Sequence, residues 1–348
     1  MNTLKEKGSR IWFWDNVKFI MILLVVVGHI TEKMVYSGCM NIASINLFIY
    51  SFHMPMFIFI FGIFFKPNDY LRKIVFYVSS GLLLKGLLYF SRLIINGGAT
   101  FTLLYENGVP WFMFVLAWYT LAAWLFRRID KRIVLAVGFL ISLFTGYFKS
   151  VGDFLCFSRM FVFFPYFWLG TMINHEQLTA KIKSFKRYLL FPAAAVLIGW
   201  FLFCIFGLHK VEVLMHLFTG KNPFSYKLGN IGFLYRILTS AITLLTGAAI
   251  LVIVPQRKIP LISHMGKNTI NVYFWHYTFL YLIFHFFDQT EIVKTPAGVA
   301  LMLFIAAALT FLLSVDIFNF PLKYLNRFIM NFKKERRPIK NRPSFLCV

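Results

Sequence analysis

Ten apolar runs, each close to the roughly 20 residues a helix needs to cross a bilayer, follow one another along the chain. They fall at residues 17–36, 43–65, 73–95, 110–126, 132–148, 157–174, 188–208, 232–254, 269–287 and 297–320. With 59% hydrophobic residues against 14% charged, and 44 phenylalanines spread over all 348 positions, the chain's solvent is lipid. The expected fold is an all-α polytopic bundle of about ten transmembrane helices. It reads as one domain over residues 1–332, followed by a basic tail at 333–348. The first run is long and is interrupted by Gly28 and His29, unlike the plain core of a cleavable signal.

A net charge of +23 raises the question of nucleic acid, but the charges lie between the apolar runs, as they do in loops facing an anionic lipid leaflet. Of the 36 lysines and arginines, 26 fall in the termini and one set of alternate loops, nine in the other set, and Lys85 inside a span. The rich set includes Lys66, Arg72, Arg127, Arg128, Lys181, Lys186, Arg257, Lys267 and the tail. By the positive-inside rule both ends are expected in the cytoplasm of a multi-pass protein of the cell membrane, with membrane lipid rather than nucleic acid as the charged partner. The four cysteines have no metal or CxxC spacing, although Cys39 and Cys156 share the outer side, where a bridge is open to them. No metal is expected. The signatures G-x-S-x-G, H-E-x-x-H, the P-loop and the Rossmann glycines are absent.

Ionisable side chains at membrane depth are costly, which makes them functional suspects. His29, His53, Lys85 and His276 are such residues. A rise of about 1.5 Å per residue puts His29 and Lys85 about 18 Å above the cytoplasmic face, His53 about 15 Å and His276 about 12 Å, in one layer of the membrane. The plain alternative is that each is satisfied by a neighbouring carbonyl or hydroxyl, or snorkels. Gly28 beside His29 makes room for a ligand or for a packed helix. Lys18 and His29 are eleven residues apart, about 20° past three turns, and share one helix face with a rise of about 16 Å. A phosphate held by Lys18 at the rim would leave an extended arm free to reach His29, with Asp15 capping the helix or holding Lys18. Pro55 and Pro165 fall inside spans, where a proline kinks a helix and frees a carbonyl, in the first case near His53. The aromatic runs are more often lipid-facing filler than a cofactor site, and no role is assigned to them.

These residues carry a family likeness. Trp14-Asp15-Asn16-Val17-Lys18, leading into Val25-Val26-Val27-Gly28-His29, fits a basic residue, a ten-residue gap and a histidine. Then follow Tyr50-Ser51-Phe52-His53-Met54-Pro55-Met56-Phe57, Val109-Pro110-Trp111-Phe112, Ser158-Arg159 ahead of Phe164 to Gly170, and Met265-Gly266-Lys267-Asn268-Thr269 with Tyr273 and His276. In these five blocks the chain resembles the membrane-bound acyltransferase 3 family, in the branch related to fucose 4-O-acetylase. It departs from the usual Ser-Gly of the second span in having Phe61-Gly62, which bears on the acceptor pocket unless the subfamily simply varies there. No fused hydrolase-like domain is seen.

The resemblance implies acetyl-CoA-dependent O-acetylation: transfer of an acyl group from cytoplasmic acyl-CoA to a hydroxyl of a cell-surface or lipid-linked carbohydrate. His29 would act as general base or carry the acyl group, Lys18 would orient the donor, and Asp15 would support Lys18. His53 and His276 would be supporting or acceptor-side groups, and Arg159 and Trp111 would contact the acceptor. Mid-membrane charges and broken helices also mark transporters and flippases of glycans or lipid-linked precursors, for which inverted repeats would be the sign. A non-catalytic scaffold would tolerate loss of His29.

Overall fold

The computed structural model describes residues 12–221, 223–224, 228–287 and 289–331. The basic tail at 333–348, Lys5, Lys7, Arg10, Lys227 and Cys347 lie outside the described residues. Fifteen α-helices and no strand are found among them: α1 (Trp12–Tyr36), α2 (Ala43–Tyr50), α3 (His53–Ile63), α4 (Tyr70–Asn96), α5 (Trp111–Leu125), α6 (Lys131–Phe144), α7 (Phe157–Thr171), α8 (His175–Phe206), α9 (Leu208–Phe218), α10 (Gly232–Ile253), α11 (Pro260–Met265), α12 (Thr269–Phe286), α13 (Gln289–Ile292), α14 (Pro296–Leu313) and α15 (Leu322–Asn331).

Every apolar run is helical, but only six stretches are long and apolar enough to cross a membrane by length and composition. These are α1, the tandem α2 and α3, α4, α8, the stretch containing α10, and α14. Helices α5, α6 and α7 have only 15, 14 and 15 residues. Helix α12 is diluted by Asn271, His276 and its tyrosines. Helix α8 starts thirteen residues before the apolar run it was expected to match, because the Asn174 side chain caps it by accepting from the Glu176 and Gln177 amides. Lys181, Lys183, Lys186 and Arg187 therefore ride on a helix rather than in a loop.

The second span is interrupted just ahead of Pro55. A proline ring clashes with the carbonyl four residues back and cannot donate to it. Helix α2 accordingly stops at Tyr50 and α3 restarts at His53, so Pro55 sits in a first turn, where no amide proton is required. The Ser51 carbonyl left over accepts the Thr243 hydroxyl, 2.5 Å away, and the Ile49 carbonyl bonds to the His53 ring. The freed backbone is thus met by protein, as membrane depth demands.

Helices α3 and α7 pack backbone to backbone through Gly62 and Gly170. A methyl at Gly170 would overlap the Phe59 carbonyl, and one at Gly62 the Phe167 carbonyl. The aromatic run of α7 faces this core and not lipid: Phe163, Phe164, Tyr166, Phe167 and Trp168 are all buried. Phe61 lies against Phe167, ring centroids 5.5 Å apart. Apolar side chains facing outward are instead those such as Phe191 and Phe206 of α8, each 82% exposed, which suit a lipid boundary. Because the contact at Gly170 is with main chain, it has no side chain to give way. Gly170→Ala is expected to cost about 1–3 kcal/mol or more, read as a lower melting temperature of the detergent-solubilised protein. An unchanged melting temperature would show that α3 and α7 can separate without penalty.

Candidate functional site

His29 lies in the wall of a cavity of about 770 Å³. The cavity is lined by α1 through Val25, His29, Glu32 and Lys33, by α2 and α3 through Asn46, Tyr50 and His53, and by the turn into α5 through Asn107, Val109 and Trp111. Arg159 and Phe163 of α7, Thr219 and Lys221 after α9, and Tyr273 and Tyr277 of α12 complete it. Four of the five family-like blocks meet there with catalytic or binding candidates: His29, then His53, then Trp111, then Arg159; the fifth adds Tyr273.

Around His29 the contacts assign a tautomer. Its Nδ1 lies 3.4 Å from Glu32 Oε2, one turn on along α1, and 3.5 Å from the Tyr50 hydroxyl. The Glu32 carboxylate also takes a hydrogen bond from Tyr50. With Nδ1–H donated to the carboxylate, Nε2 keeps its lone pair and is the basic nitrogen. The ring is held by His276, stacked with centroids 5.3 Å apart, and by the edge of Tyr277 at 5.2 Å.

The other two histidines have their Nδ1 turned to main chain. His53 Nδ1 donates to the Ile49 carbonyl at 2.8 Å, and His276 Nδ1 lies 2.8 Å from that of Tyr273 and 3.0 Å from that of Val272. Each therefore carries a bare Nε2, and that of His276 is buried without a partner. His53 lines the cavity; His276 backs His29 from behind. No group of three or more His, Cys, Asp or Glu suited to a metal ion occurs among the described residues.

Lys18 is elsewhere. Its Nζ pairs with Asp15 at 2.9 Å near the start of α1, about 16 Å along the helix from His29. Ile22 and Val25, which lie on the face between them, are each 1% exposed. A donor travelling along that face must displace them. Gly28 serves helix packing, since a Cβ would press on Ile49 and Tyr50 at 3.3 Å, and its carbonyl accepts Thr31 and Asn46. Lys85 does not join the histidines: it pairs with Glu106 at 2.9 Å and donates to the Tyr105 carbonyl in a neighbouring cavity. Phe61 lies outside the cavity lining, so its difference from serine acts on the packing of α3 against α7. Cys39 and Cys156 are free and buried rather than bridged. Burial pushes the Cys156 thiol up to about 12, which leaves it protonated and a poor nucleophile at neutral pH.

Glu32 is a site residue that sequence reasoning missed, and Tyr50 stands there only as part of a family-like block with no role assigned to it. Glu32 follows His29 by three residues, one helical turn, and that spacing is the signal the sequence offers.

The fold and cavity define a multi-pass helical membrane protein with a histidine–carboxylate pair in the wall of a cavity. Residues 11–317 match the acyltransferase 3 family, described as an acyltransferase domain, and the chain belongs to that family. It is therefore a membrane transferase of acyl groups. The chain matches no curated protein and no solved structure.

Proposed function

We propose that this protein is an O-acyltransferase of the cell membrane that moves an acyl group, acetyl in this proposal, from cytoplasmic acyl-CoA to a hydroxyl of a cell-surface or lipid-linked carbohydrate. The observation that carries this reading is the His29–Glu32 pair in the wall of a cavity large enough for a sugar. His29 Nε2 removes the acceptor hydroxyl proton as the oxygen attacks the thioester carbonyl. The carbon–sulfur bond then breaks, an ester forms, and the CoA sulfur leaves with the proton returned by the imidazolium. Glu32 holds the ring and offsets its transient positive charge, while His53 and Trp111 line the acceptor's place.

Lys18, held by Asp15, is the donor-side group at the other end of α1. The Lys18 side chain is 27% exposed, so its attraction to a CoA phosphate is partly screened. Lys18→Ala should raise KM for acetyl-CoA about three- to tenfold with kcat little changed; an unchanged KM would remove Lys18 from donor binding.

The test of the whole reading has two arms. Purified protein should release CoA from acetyl-CoA faster when a carbohydrate acceptor is present, and a deletion strain should lose O-acetyl signals from the NMR spectrum of its surface glycans. Absence of both would overturn the proposal. Altered glycan export with no CoA release would favour a transporter.

A further inference from the structure

Arg159 is a cation in the cavity wall with open donors. It is 7% exposed, and its Nε and Nη1 have no hydrogen-bond partner, while Nη2 makes only a long 3.4 Å contact to the Asn107 carbonyl. The guanidinium carbon sits 4.8 Å over the Trp111 ring, which fixes the plane of the group without satisfying its N–H donors. No carboxylate lies within ion-pair distance of it among the described residues. The buried acid of this region, Glu106, is engaged by Lys85 and by the Gly108 amide at 2.7 Å.

A buried, unpaired guanidinium is costly unless something completes it. The lining has an excess of positive charge as well: Lys33, Arg159 and Lys221 stand against Glu32 alone, and Glu32 is taken by His29. Arginine's planar fork of donors suits a phosphate or carboxylate oxyanion.

We propose that Arg159 is the seat of an oxyanion carried by the acceptor, a phosphate or a carboxylate on the sugar, with Trp111 as the platform that aims it, so that a neutral glycan is not the preferred substrate. This rests on the carbohydrate-acceptor reading above and narrows it. A phosphate would indicate a glycosyl phosphate such as a lipid-linked precursor, and a carboxylate an acidic sugar; both need the same site. The anion at Arg159 and the hydroxyl at His29 would then be two ends of one molecule inside one cavity.

Binding, not turnover, is the measurement, using full-length protein in detergent and three probes: glucose 1-phosphate, glucuronic acid and methyl glucoside. Wild type and His29→Ala should both bind one of the charged probes at least tenfold more tightly than methyl glucoside. Whichever charged probe wins names the source of the oxyanion. Arg159→Gln should lose that preference, weakening the favoured charged probe about 10- to 100-fold, the scale of a charge-assisted hydrogen bond, and leaving methyl glucoside unchanged. Should Arg159→Gln not fold, Arg159→Lys replaces it and is expected to keep the preference while losing part of the affinity. Equal affinity of wild type for all three probes, or a preference that survives Arg159→Gln, overturns the proposal. Acceptor-dependent CoA release with neutral sugars would then still support acyl transfer, so the two failures are told apart.

Discussion

Alanine in place of His29 is expected to slow acyl transfer by about 10²- to 10⁴-fold, the range that a positioned general base contributes, in protein that inserts and folds normally. The reason for expecting little structural damage is the setting of the ring. It lies at the wall of an existing cavity with an 18% exposed side chain, so truncation enlarges that cavity instead of opening a new void in packed core. A competing base is His53, which lines the same cavity and also has a bare Nε2. What separates them is the third group: His29 has a carboxylate on Nδ1, whereas His53 has only the Ile49 carbonyl, which cannot offset a developing imidazolium charge. His53→Ala should therefore cost much less than His29→Ala. Initial rates of acceptor-dependent CoA release from purified variants decide it, and the reverse order of effects would move the base to His53.

Parts of this site could be read from the sequence because they depend on one helix at a time. The Lys18–His29 spacing needed only the 3.6-residue period, and the structure does keep both on one continuous α1. His53 and His276 stood out because ionisable groups rarely sit in apolar runs. Other features depend on contacts between distant segments, which no local pattern encodes. Lys85 read as a functional charge or a snorkelling one, but its partner is Glu106 in a loop 21 residues on. Ile22 and Val25 look like any span residues, yet both are buried, so a donor held at Lys18 must displace them to reach His29 along that face. The aromatic run of α7 is as apolar as a lipid-facing one; it is turned inward by packing against distant segments, Gly62 of α3, Gly138 of α6 and Tyr119 of α5. Ten crossings were inferred from apolarity, yet the bundle contains helices of 14 and 15 residues, for which length alone does not carry a span.

Glu32→Gln should lower kcat by about 10²-fold with KM for acetyl-CoA unchanged. In a buried histidine–aspartate pair the corresponding amide costs about 10⁴-fold because the ring adopts the wrong tautomer. A smaller loss is expected here because the Glu32 side chain is 29% exposed and its Oε2 is 3.4 Å from Nδ1, so water can stand in for part of the charge. The substitution keeps size and a carbonyl oxygen, so packing against Tyr50 should persist and the melting temperature should not move. If Glu32 works only through the imidazole, its contribution vanishes once the imidazole is gone. His29→Ala combined with Glu32→Gln should then be no slower than His29→Ala alone. Multiplying effects, with the double variant about 10²-fold below the single one, would give Glu32 a role apart from His29, such as direct contact with the acceptor across the cavity they share.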